Sequence, residues 1–187
     1  MSDRIASFHR PSGEGLSFWG PGDLYTFLVT GDESDGAYFS MLATVPPGGG
    51  PPPHVHLHED ETFFVLDGTP TFRLGDERIV AGPGDFVNVP RGTLHCFRNF
   101  SDEPLRMVLT FTPASIERFF EETLERAHDL TAEPPDNIER SAPATRRQRP
   151  GTGWSSTSRP RPPELPRARI GRRRGSGEGG IRTLESG

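Results

Sequence analysis

The stretch 51-PPPHVHLHEDETFFVLDG-68 places three histidines and three acids within residues 54–61, between a proline run and an apolar segment. In an extended chain, residues two apart share a face. His54 and His56 therefore point the same way if 54-HVH-56 is a strand, and His58 would continue the row. Glu61 is an odd number of residues from His56, so an unbroken strand would send it to the opposite face. To bring Glu61 beside His56, the segment 57-LHED-60 must turn or bulge, which its polar residues suit. After that break ETFFVLDG resumes strand character and closes at Asp67-Gly68, a turn signal. On this reading His58, Glu59, Asp60 and Asp67 belong to loops and turns, with Glu59 and Asp60 solvated and His58 solvated or at a pocket mouth.

The surrounding chain repeats the pattern. The runs 24-LYTFLVT-30, 37-AYFSMLATV-45, 70-PTFRL-74, 86-FVNVP-90 and 105-LRMVLTF-111 alternate with Gly, Pro and Asp clusters, 74-LGDERI-79 reading as a hairpin loop and 81-AGPGD-85 as a tight turn. Short strands so closely spaced predict an all-β sandwich or barrel. The 22 glycines and 20 prolines favour turns over long helices. From Thr112 the period changes. Thr112 reads as a cap and Pro113 as a first helical residue. Ile116, Phe119, Phe120, Thr123, Leu124 and Ala127 then share one face of an amphipathic helix packed against the barrel.

A chain of 187 residues, 32% hydrophobic, supports one modest core. The formal net charge of −5 averages two unlike regions: residues 1–140 hold 23 acids and 10 arginines, residues 141–187 only 3 acids and 11 arginines. The expected plan is an N-terminal segment 1–19, a barrel with its helix at 20–130, and an Arg/Pro/Gly-rich tail at 131–187, the composition breaking most sharply near Ser141. The tail has no apolar period and is expected to be disordered. Its arginines are the route by which nucleic acid would bind, but Trp154 alone offers a stacking surface, which argues against that partner. The run 179-GGIRT-183 is what translating the complement of a tRNA gene's T-loop yields, and points to a reading frame running on past the domain.

All 21 basic residues are arginine, so lysine is excluded as a Schiff-base nucleophile or general base. The start MSDRIASFHR has no apolar segment after its basic residue, unlike a secretory signal. Nowhere do roughly 18 apolar residues run together, so no membrane span is expected. The single cysteine, Cys96, cannot form an internal disulfide, which fits a reducing, cytoplasmic location.

Two histidines, a carboxylate from the following strand and one more ligand would make a four-ligand metal site. His95, in the strand-like run 89-VPRGTLHCFRN-99, is the obvious fourth. Imidazole with carboxylate suits one divalent transition ion, Fe, Mn, Ni, Cu, Co or Zn, rather than calcium or magnesium. Here the residues carry a resemblance. The spacing G-x5-H-x-H-x4-E-x6-G is met by Gly48, His54, His56, Glu61 and Gly68. The spacing G-x5-P-x-G-x2-H-x3-N is met by Gly84, Pro90, Gly92, His95 and Asn99. Both resemble the paired motifs of the cupin superfamily, within which the chain is most similar to small quercetin-2,3-dioxygenase-like proteins.

The resemblance implies a double-stranded β-helix, or jelly roll, followed by the C-terminal helix. It implies His54, His56, Glu61 and His95 as metal ligands. It suggests an oxygenase acting on a small aromatic or enolisable molecule, with Glu61 doubling as the catalytic base. An oxygen-independent isomerase, cyclase or hydrolase, or a non-catalytic binding module, would use the same site. By alternation Phe97 shares the face of His95, and Phe63 that of Glu61. With Phe27 and Met41 they are the expected pocket residues. Cys96 should face away from His95 as a buried structural thiol, and His9 and His128 should be surface residues. A homodimer is implied by resemblance, with the helix or 16-LSFWGPGDLYTF-27 as its surface.

Overall fold

Strand alternation builds the barrel wall. In the computed structural model, which describes residues 6–20 and 23–128, Glu61, Phe63 and Val65 are buried while Phe64 and Asp67 on the same strand are exposed. The expected tail, 131–187, lies outside the described residues. The strands in chain order are β1 (Ser17–Trp19), β2 (Leu24–Val29), β3 (Phe39–Val45), β4 (Asp60–Asp67), β5 (Thr71–Leu74), β6 (Glu77–Val80), β7 (Phe86–Val89), β8 (His95–Arg98) and β9 (Leu105–Thr112). Helix α1 (Glu117–Thr123) and a two-residue β10 (Glu125–Arg126) follow. One antiparallel sheet has the order β10-β1-β2-β3-β9-β4-β7, and the other β6-β5-β8.

The register sets which side chains meet inside. Phe27 lies opposite Met41, Met41 opposite Leu109, Leu109 opposite Phe63, and Phe63 opposite Val87. All five are buried, so this row runs straight across the inner face of the larger sheet. The next row is Phe39, Phe111, Glu61 and Val89. Glu61 is thus the one acid in a line of apolar neighbours. From the smaller sheet Phe72 and Phe97, paired in register, close over Phe63 at ring-centroid distances of 5.0 and 5.8 Å. Each such buried ring contributes about 1.5–3 kcal/mol relative to exposure.

Three local expectations need correction. The stretch 54-HVH-56 is not a strand: His54 makes a single bridge with His95, each donating its N–H to the other's carbonyl at 2.9 Å. Residues 74–79 are not one loop but two strands, β5 and β6, joined at Gly75-Asp76. The exposed, non-alternating composition of β6 concealed it. The helix also begins later than Thr112. That residue is still paired to Asp60 in β9, the Ala114 N–H donates to the Gly36 carbonyl, and the Ser115 hydroxyl donates to Glu59. Tertiary hydrogen bonds hold residues 112–115 out of the helix. At its other end Leu124 is extended, and Glu125–Arg126 pairs with β1, so Ala127 is buried beside Trp19 rather than on a helical face. Most of 16–27 is likewise engaged within this chain, as β1 and β2.

Candidate metal centre

Backbone bonds bring the two histidine-bearing loops together. Besides the His54–His95 bridge, the Gly92 N–H donates to the His56 carbonyl at 2.8 Å. Gly92 has φ +81°, a left-handed conformation that glycine adopts without the steric penalty of a side chain. On the other side Gly50, at φ +122°, lies so close to the smaller sheet that an added Cβ would fall 2.3 Å from the Phe97 carbonyl oxygen. Outside the cavity Arg91 grips Asp60 through two side-chain hydrogen bonds of 2.9 and 3.0 Å, which draw the Asp60 carboxyl down to about 2. The break at 57–60 thus leads into β4 with Glu61 turned inward.

One ligand-type atom from each of His54, His56, Glu61 and His95 lies within 4.8 Å of the others. Glu61 Oε2 is 2.8 Å from His95 Nε2 and 3.2 Å from His56 Nε2. Atoms bound side by side to one ion at 2.0–2.1 Å sit about 3 Å apart, so the spacing fits. The ring orientations fit as well. Nδ1 of His54 faces the Pro52 carbonyl at 2.9 Å, and Nδ1 of His95 faces that of Thr93 at 2.9 Å. A carbonyl only accepts, so both Nδ1 atoms carry hydrogen, the arrangement that aims a neutral imidazole's Nε2 lone pair at a cation.

His95 makes the case sharper. Both its nitrogens face oxygens that accept, so the ring is either doubly protonated or shares Glu61 with a cation. The electrostatics agree in direction. Burial works against the charged ring, yet Glu61 and the Thr93 carbonyl raise its pKa above the ordinary histidine value. Burial likewise opposes ionisation of Glu61, but hydrogen bonds from His56 and His95 outweigh it and hold the carboxyl below its usual range. His54 is lowered, first by burial and then by the neighbouring His95.

His54, His56 and Glu61 line a cavity of about 540 Å³, the size of a small-molecule site, with His95 buried behind them. Of the expected pocket residues, Met41 and Phe97 line it. Phe27 and Phe63 lie in the core instead, Phe27 packed tilted and edge-on against Phe18 and Phe39, and Phe63 edge-on against Phe72 and Phe97. His58 is exposed at the cavity rim, and Cys96 is buried beside Arg73 with burial raising its thiol. His9 and His128 are exposed. Glu59 corrects the solvated reading. It lies in the break before β4, as expected, but is not solvated: it is only 7% exposed and lines the cavity. Tyr25 and the helix residues Phe119 and Phe120 complete the wall.

Behind that wall lies a second polar pair. Tyr25 donates its hydroxyl to Asp23 Oδ2 at 3.0 Å, and the Gly50 N–H donates to Oδ1 at 3.2 Å. Burial pushes the Asp23 carboxyl up to about 7 despite these bonds, and pushes the Tyr25 hydroxyl well above its usual value.

Two antiparallel sheets closed around a three-histidine, one-glutamate cluster define a jelly-roll barrel with an internal candidate metal centre. Residues 41–111 match the family model for a cupin domain, and the two sheets form the barrel of that fold. Over 120 residues it is 30% identical to quercetin 2,3-dioxygenase of Bacillus subtilis (strain 168), a match covering 64% of this chain and 35% of that protein. The curated relatives it matches are covered over 21–60% of their own lengths. Among solved structures, KdgF from Halomonas sp. superposes with a TM-score of 0.53 at 19% identity, over 60% of this chain and 98% of that one. An RmlC-like cupin from Shewanella frigidimarina NCIMB 400 does so with a TM-score of 0.50 at 19% identity, over 60% and 96%. These two likenesses establish the fold alone. No helix among the described residues is long and apolar enough to cross a membrane.

Proposed function

We propose that this cupin-fold protein is a metal-dependent oxygenase acting on a small aromatic or enolisable organic compound. The observation that carries the reading is the convergence of His54, His56, Glu61 and His95 beside a largely apolar cavity. The partial likeness to a quercetin 2,3-dioxygenase supports the choice of chemistry. The four residues would hold one divalent transition ion, drawn from Fe, Mn, Ni, Cu, Co or Zn. Such an ion supplies a Lewis acid for a substrate oxygen and a place for dioxygen beside it. The protein's part is orientation and proton handling. Pro52 and Thr93 carbonyls fix two of the rings. Glu61 meets both partner rings through Oε2, which leaves Oε1 as the oxygen able to take a substrate hydroxyl proton. Met41, Phe97, Leu109 and Phe111 give a ring-shaped substrate apolar walls.

Oxygen consumption on adding substrate, measured with an electrode, should fall to background in Glu61→Ala and His95→Ala. Uptake unchanged in both would refute the reading. Turnover that persists under argon would instead assign the site to oxygen-independent chemistry. A homodimer and a cytoplasmic location are proposed alongside, the first to be tested by light scattering of the purified chain.

A further inference from the structure

Glu59 has no role in the metal centre, yet it is a nearly buried acid in the same cavity. It lies two residues before Glu61, in the break that leads into β4, and lines the cavity outside the cluster of ligand-type atoms. Ser115, from the segment that enters α1, donates its hydroxyl to Oε1. Oε2 accepts no hydrogen bond among the described residues and keeps some accessible surface. Arg91 feels the Glu59 charge but is committed to Asp60 on the outside. No arginine lines the cavity, and the chain has no lysine. A buried carboxylate with no cationic partner is expensive unless something supplies a donor to it.

We propose that Glu59 selects the ligand: the cavity takes a neutral ring compound bearing a hydroxyl that donates to Glu59, and rejects carboxylates and phosphates. The inference rests on the metal-centre reading above. A carboxylate or phosphate that the ligand carries to Glu59, away from the ion, would set two acids side by side with no arginine or lysine among the described lining residues to offset them. A hydroxyl donor would meet a free carboxylate oxygen in a low-dielectric site, where charge-assisted hydrogen bonds are strong.

The test is anaerobic calorimetry on the protein with the metal it carries when purified, using three catechols that differ only at position 4. These are 3,4-dihydroxybenzyl alcohol, 4-methylcatechol and 3,4-dihydroxybenzoate. The expected order of affinity is alcohol, then methyl, then carboxylate, with about tenfold per step, the size of one hydrogen bond to a charged acceptor. Glu59→Gln, which keeps the shape and the Ser115 contact, should bring alcohol and carboxylate within about threefold. Ser115→Ala should keep the rejection of carboxylate but lose most of the gain for the alcohol. Equal wild-type affinity for alcohol and carboxylate, the wild-type order surviving in Glu59→Gln, or no binding of any probe would each overturn the proposal. Binding is read without turnover, so failure of the oxygenase reading would show separately, as absent oxygen uptake.

Discussion

Asp23→Asn should change how stability depends on pH, by an amount the structure sets. The Asp23 carboxyl is 1% exposed, and burial lifts it from 3.8 to about 7. In the unfolded chain it ionises near pH 4. Between those values the folded state holds a proton that the unfolded state has released, so ionisation favours unfolding. The stability associated with the protonated acid is fully present below pH 4 and is lost as pH rises through about 7. A shift of roughly three units at about 1.4 kcal/mol each makes the effect on the order of 4 kcal/mol. Asparagine cannot ionise, can still accept from the Gly50 N–H, and can donate to the Tyr25 oxygen with the hydroxyl reversed. The unfolding free energy of wild type minus that of Asp23→Asn, from urea titrations at half-unit intervals from pH 4 to 8, should therefore fall steadily up to about pH 7 and then level off. Taking the difference removes the histidine and Glu61 titrations common to both proteins. A difference that stays flat across that window, or rises with pH, would refute the reasoning.

Other outcomes follow from packing and backbone geometry. Phe63→Ala should cost about 3–5 kcal/mol in urea unfolding, because Phe72 and Phe97 hold the surrounding space open around the missing ring. The two glycines beside the site should separate cleanly. Gly92→Ala has free space at its Cβ position and suffers only left-handed strain, about 1–2 kcal/mol, so it should fold with a lowered melting temperature. Gly50→Ala drives a methyl into the Phe97 carbonyl and should fail to accumulate as soluble protein; equal melting temperatures for the two would contradict this.

The cluster was legible because its four residues sit at fixed spacings and because the odd interval from His56 to Glu61 demands a break. The structure provides that break at residues 57–59. The long inner strands were legible for a related reason: residues such as Phe39, Met41 and Ala43 alternate with less buried neighbours. What escaped was set by contacts distant in sequence. Strand β6 is exposed along its whole length and shows no period. The helix start was displaced by partners at Gly36 and Glu59, which no local rule at Thr112 encodes. Glu59 does lie in the break before β4, but its burial comes from the cavity that the fold closes over it, which its polar neighbours in sequence conceal.

The proposed chemistry depends on one ion held by four side chains. Metal content per chain is measured by elemental mass spectrometry after reconstitution and desalting. The wild-type chain should carry about one divalent transition ion. His95→Ala and Glu61→Ala should carry close to none at unchanged far-ultraviolet circular dichroism. A wild-type chain that retains no metal, or variants that retain it in full, would refute the four-ligand centre.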